Sequence, residues 1–177
     1  SFAGFGYRCA AIPGSDYLLG LPFGEGKDRV LLDLGGKRAH KHMGAGFSID
    51  ERDRSGNDYV WSDDIESLLS LPLARVVPGK YALGVRAKAF GPLAPVKVQL
   101  LLNGALAGEI DVTDQWTGAE LTIPDGLLVE GLNTVLFRYS KMGRPWGLLP
   151  GNLDGRALSV AVDRVWLYPR DLERGKP

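Results

Sequence analysis

From residue 80 onward the chain sets an apolar residue at every second position over one stretch after another, and turn-forming residues close each stretch. KYALGVRAKAF (residues 80–90) puts Tyr81, Leu83, Val85, Ala87 and Ala89 on one face before Gly91-Pro92 interrupts it. VKVQLLL (96–102) repeats the alternation at Val96, Val98, Leu100 and Leu102, then runs into Asn103-Gly104. A period of two marks a half-buried strand, and Asn-Gly supplies the two positive-φ positions of a tight hairpin. Residues 105–112 then return as the partner strand. Residues 119–123, 133–140 and 157–168 complete the set, the last ending at Pro169. Strands recurring roughly every 10–15 residues, with turns between them and no long amphipathic helix, predict an all-β sandwich rather than an α/β fold.

The first half carries a weaker pattern. RVLLDL (29–34), closed by Gly35-Gly36, reads as a buried strand. After it come a strand near 46–49, an exposed charged loop across 50–58, and a strand at 59–62. In SDDIESLLSLPL, Asp63 and Glu66 have the spacing of a helix capping box, but Leu69, Leu71 and Leu73 alternate and Pro72 has no place inside a helix. A strand is favoured. Residues 1–28 form an irregular lead-in with a short strand near 16–19, and Phe2, Phe5, Tyr7 and Tyr17 suit packing on the sandwich or on a preceding domain. Three units follow: lead-in 1–28, sandwich 29–169, and a charged tail 170–177.

Charge and composition exclude several functions. Twenty-one Lys and Arg balance 21 Asp and Glu, without the basic excess that phosphate contacts demand of a nucleic-acid binder. No stretch of 18 apolar residues is present to span a bilayer. Cys9 is the only cysteine, so neither an intrachain disulfide nor a thiolate metal cluster is available. The chain starts at Ser1 without a secretion-signal pattern, as expected of a piece of a longer polypeptide.

Five pieces in order, PGKYALGVRAKAF, VKVQLLLNGALAGEI, DQWTGAELTIP, LLVEGLNTVLFRYS and DGRALSVAVDRVWLYP, resemble the galactose-binding-like jelly-roll domains appended to glycoside hydrolases, sulfatases and bacterial surface-polysaccharide enzymes. The Gly131-x-Asn133 turn opening an apolar strand recurs in such modules, because glycine permits a positive φ and the Asn side chain caps the turn. The resemblance covers residues 78–169 and extends further if 29–63 supplies the early strands. It implies a jelly-roll β-sandwich acting as a non-catalytic carbohydrate-binding or accessory module of an exported protein. That protein would be extracellular or periplasmic, and the module would sit beside a catalytic or membrane domain and take a glycan or polysaccharide as partner. A structural Ca²⁺ held by loop carbonyls, found in related jelly rolls, would leave no sequence pattern. The fold also hosts scaffolds without a sugar site, so a protein-interaction domain is the alternative, and a small metal-dependent hydrolase a second one.

Sugar rings stack their C–H patches on flat aromatic faces and present hydroxyls to planar polar groups. Trp146 lies in a long Gly- and Pro-rich loop, KMGRPWGLLPGNLDG, with Arg144, Asn152 and Asp154. This loop is the expected carbohydrate-binding surface, with Trp116 in TDQWTGAE as a further candidate. Both indoles have a competing reading as plugs at the ends of the core, and Trp61 and Trp166 read as core. Glu51 in GFSIDE and Arg156 in DGRALS are expected to pair and join the two halves of the chain. His40 and His42 alternate as on a strand and would present two imidazoles on one face, against a plainer reading as a solvated strand edge. Without a third ligand they make no metal motif, and no cofactor is expected. The loop IDERDRSGND departs from the EF-hand order, and Ser48 in GFSID lacks the second glycine of a nucleophile elbow. No catalytic residue is assigned.

Overall fold

Every strand pairing in residues 27–170, the span that the computed structural model describes, is antiparallel. Ten strands form: β1 (Val30–Asp33), β2 (Phe47–Arg52), β3 (Asp58–Ser62), β4 (Glu66–Leu73), β5 (Tyr81–Ala89), β6 (Val96–Leu102), β7 (Ala105–Val112), β8 (Thr117–Ile123), β9 (Gly131–Tyr139) and β10 (Val160–Pro169). One sheet runs β2-β3-β10-β5-β8, with β1 also paired to β10, and the other runs β4-β9-β6-β7. The alternating residues of β5 meet those of β4, β6 and β9 between the sheets, so Leu83, Val85, Leu71, Val98, Leu100 and Phe137 share one interior. The expected helix-or-strand ambiguity at 63–73 resolves as β4. The fold is an all-β jelly-roll sandwich.

Turn chemistry sets the register. Asn103 has φ 50° and Gly104 φ 83°, the pair a two-residue hairpin needs. Gly131 has φ 101°. Beside it, the fully buried Asn133 accepts the Val129 N–H at 2.9 Å and donates to the Val129 carbonyl at 2.8 Å. Asn103 ties the two turns together, donating to Asn133 Oδ1 and accepting the Thr134 N–H, each at 2.9 Å.

Three expectations need correction. His40 and His42 lie on a 3-10 helix, Lys37–His42, rather than a strand. With about three residues per turn, positions two apart point to different sides. His42 is buried, while His40 is exposed and bonds Asp50. The charged loop is shorter than 50–58, because Asp50, Glu51 and Arg52 belong to β2. That strand is the sheet edge, where charged side chains reach solvent and discourage further pairing. Trp61 is half-buried on the outer face of its sheet, ring edge-on to Tyr59 and Phe90, and not in the interior. Trp166 is fully buried, also on the outer face. Expectations for the lead-in up to residue 26, including the strand near 16–19 and Cys9, and for the tail beyond Arg170 lie outside the described residues. No helix among the described residues is long and apolar enough to cross a membrane.

Candidate functional site

Between β9 and β10 the chain makes a long excursion, residues 140–159, that is pinned at its base. Gly143 and Leu158 exchange both backbone hydrogen bonds, at 2.9 and 2.8 Å. Pro145 opens a single helical turn, α1 (Pro145–Leu148), where its fixed φ suits a first helical position. The Trp146 N–H donates to the Asp154 carbonyl at 3.0 Å, and the Arg144 guanidinium to the Gly155 carbonyl at 2.8 Å. Asn152 Oδ1 accepts the Asp154 N–H at 2.8 Å, the local turn that Asn side chains favour. The indole of Trp146 is left 59% exposed, so the loop holds its backbone and offers its ring.

Arg156 fastens this loop to the sheet. Its guanidinium donates to Asp154 at 2.7 Å, to Glu51 Oε1 at 2.7 Å and to Ser48 Oγ at 3.3 Å. The structure thus brings Glu51 and Arg156 together across most of the sequence. The Arg156 hydrogen bonds hold the Asp154 carboxyl below the usual carboxylate range, and Asp154 and Glu51 raise the guanidinium's own value. The other Glu51 oxygen accepts the Tyr59 hydroxyl at 3.1 Å. Burial, and then the Glu51 charge, push that phenol up to about 12.

Tyr59 leads to the second tryptophan. Trp116 is half-buried, its ring 5.5 Å from that of Tyr59, and its indole N–H donates to Asp53 at 3.0 Å. The Arg86 guanidinium and the Lys88 ammonium each stand 4.9 Å from the centre of its ring, within cation–π range. Trp116, Tyr59, Glu51, Arg156, Asp154 and Trp146 therefore form one connected strip. Its two ends differ: Trp146 presents a free indole, whereas Trp116 is held by Asp53 and covered by cations.

Sequence reasoning missed two parts of this surface. Tyr59 and Trp61, two apart on β3, share the outer face with Lys88; that period of two was the signal. Beside Ser48 lies an open groove of about 500 Å³ lined by His40, Met43, Ile49 and Asp50. One of its lining residues, His40, comes from the 3-10 helix, which no motif announces. Among the described residues no group of three or more His, Cys, Asp or Glu is placed to hold a metal. The charged turn at 53–57 does not fit a Ca²⁺ through its acid either. Asp53 already accepts the Ser55 and Asn57 N–H groups, the Asn57 amide and the Trp116 indole.

No family model and no curated protein matches the chain. Solved structures do. A family 35 carbohydrate-binding module from Clostridium thermocellum is 16% identical, with 80% of this chain and 98% of that one aligned at a TM-score of 0.51. The C-terminal CBM6 of LamC, a marine laminarinase from Zobellia galactanivorans, is 14% identical over 80% of this chain and 99% of that one, TM-score 0.49. In the Podospora anserina GH26-CBM35 β-(1,4)-mannanase, 28% of that chain aligns with 81% of this one at 15% identity and a TM-score of 0.48. The fold is that of the carbohydrate-binding-module jelly rolls.

Proposed function

We propose that this chain is a non-catalytic carbohydrate-binding module of a larger exported bacterial protein, extracellular or periplasmic, that serves a catalytic or membrane domain of the same polypeptide. The observation carrying this reading is the exposed Trp146 indole on a hydrogen-bonded loop, flanked by Arg144, Asn152 and Asp154. A flat apolar ring on a loop whose backbone is held in place, next to fixed polar groups, is what a sugar ring needs, because little loop entropy is lost on docking. The likeness of fold to carbohydrate-binding modules supports it. Calorimetric titration with a panel of soluble polysaccharides tests it. At least one should bind, and Trp146→Ala should weaken that binding by ~30-fold or more, the ~2 kcal/mol of a hot-spot aromatic, without lowering the melting temperature.

A second reading, a protein-docking scaffold, is favoured by the leucines on the same loop. Leu148 and Leu149 are exposed and Leu153 is 94% so, and aliphatic side chains are poor platforms for sugars. No binding to any polysaccharide at millimolar concentration would put this reading first.

A further inference from the structure

The open groove of about 500 Å³ at the edge of the larger sheet, between the 3-10 helix and β2, has no role in the Trp146 site. Two features shape it. The register of β2 against β3 slips between Phe47 and Asp50, and a bulge of this kind re-aims side chains. Ile49, inside the slip, is 76% exposed. The second feature is the His40 imidazole, whose Nε2 stands 2.8 and 2.7 Å from the two Asp50 carboxylate oxygens. That pairing fixes a flat ring and still leaves its side chain 51% exposed. Apolar walls from Met43 and Ile49, with a few placed polar groups, are the usual make-up of a small-molecule site, and the volume lies within the ~300–1,000 Å³ such sites span.

Ser48 joins the groove to the Trp146 loop. It lines the groove, and its Oγ accepts the Arg156 guanidinium at 3.3 Å. The same guanidinium donates to Asp154 at 2.7 Å, and the Asp154 carbonyl accepts the Trp146 N–H at 3.0 Å. The groove thus begins one guanidinium away from the loop that presents the indole. Neither place closes around a chain end, since the indole is 59% exposed and the groove is open. We propose, resting on the carbohydrate reading of Trp146, that the groove is a second subsite of the same surface. The ligand is then a polysaccharide bound along an internal stretch, with one sugar on Trp146 and a later one beside His40 and Ile49, rather than a terminal sugar. Two linked contacts bind more tightly than either alone, provided that the chain is long enough to reach both.

Nuclear magnetic resonance titration of the whole chain with laminari-, manno- and xylo-oligosaccharides of graded length tests this without any substitution. In a series that binds, the shortest member should shift the Trp146 indole alone. Longer members should also shift the Ile49 methyls and the His40 imidazole, with affinity rising ~10-fold or more. Both side chains are exposed, so the double variant His40→Ala, Ile49→Ala should fold normally and flatten that rise. Shifts confined to Trp146, with affinity independent of length, overturn the second subsite and leave the Trp146 site standing. No shift at either place with any series also overturns the subsite, and the polysaccharide panel then decides separately whether the Trp146 reading falls with it.

Discussion

Gly84 is the residue on which the outer face of the larger sheet turns. A Cβ at this position would sit 1.9 Å from the Trp166 ring, and the ring is fixed by its bond to Glu120 and by full burial. Gly84→Ala should therefore destabilise the protein by ~1–3 kcal/mol, read as a lower denaturant midpoint; an unchanged midpoint would mean that the indole moves freely. Asn133 has the opposite kind of constraint, a buried amide whose partners are the Val129 N–H and carbonyl and the Asn103 side chain. Asn133→Ala strands those groups and should cost ~3 kcal/mol, with the β8–β9 turn showing faster amide exchange. The two residues differ in how far sequence alone reveals them. Gly131-x-Asn133 is legible because its two bonds to Val129 close within a few residues. Gly84 is not, because its requirement comes from an indole far along the chain.

Single strands with clean alternation, β5, β6 and β9, could be drawn from the sequence almost to their ends, since each obeys a local period. The 3-10 helix at Lys37–His42 could not. Its residues alternate well enough to imitate a strand, and only the backbone bonds Ala39 N–H to the Gly36 carbonyl and Met43 N–H to the His40 carbonyl decide against it. β2 was cut short for a related reason, since charge alone does not separate a loop from an edge strand. The loop at 140–159 was legible as a loop, and its rigidity rests on Arg156. Arg156→Ala should speed amide exchange through residues 143–155 and lower stability by only ~1 kcal/mol, because the pair is partly solvated. Acid should have the same effect. Arg156 holds the Asp154 carboxyl below its unfolded value, so the contribution of this pair is present above pH ~4 and is lost as pH falls through the lower folded value. Trp146 emission and loop amide exchange, followed downward from pH 5, should change before the sheets unfold; a loop that holds until global unfolding would show that other contacts fix it.

At the scale of the whole molecule the sandwich was legible because it repeats one local rule, whereas burial on both faces of β5 and β10 depends on what lies over them. The carboxylates around the sandwich give the protein two opposed pH responses. Asp28, Asp58 and Asp154 are held low by Arg29, Arg52 and Arg156, so they favour the folded state above pH ~4 and cease to do so in acid. Asp33 runs the other way. It lines a pocket beside Leu31, its Oδ1 is buried without a hydrogen-bond partner, and desolvation raises its carboxyl to about 6. The Arg164 charge opposes that rise, and the Asp163 and Asp58 charges add to it. A folded value above the unfolded one means stability fully present below pH ~4 and lost as pH climbs through about 6. Stability should therefore peak in mildly acidic solution and decline toward neutrality. Asp33→Asn keeps the shape and removes the titration, so urea midpoints of the variant and the parent should converge near pH 4. At pH 7 the variant should be the more stable by up to ~3 kcal/mol, the worth of about two pKa units. Parallel profiles from pH 4 to 7 would acquit Asp33 and place the neutral-pH loss in some other group.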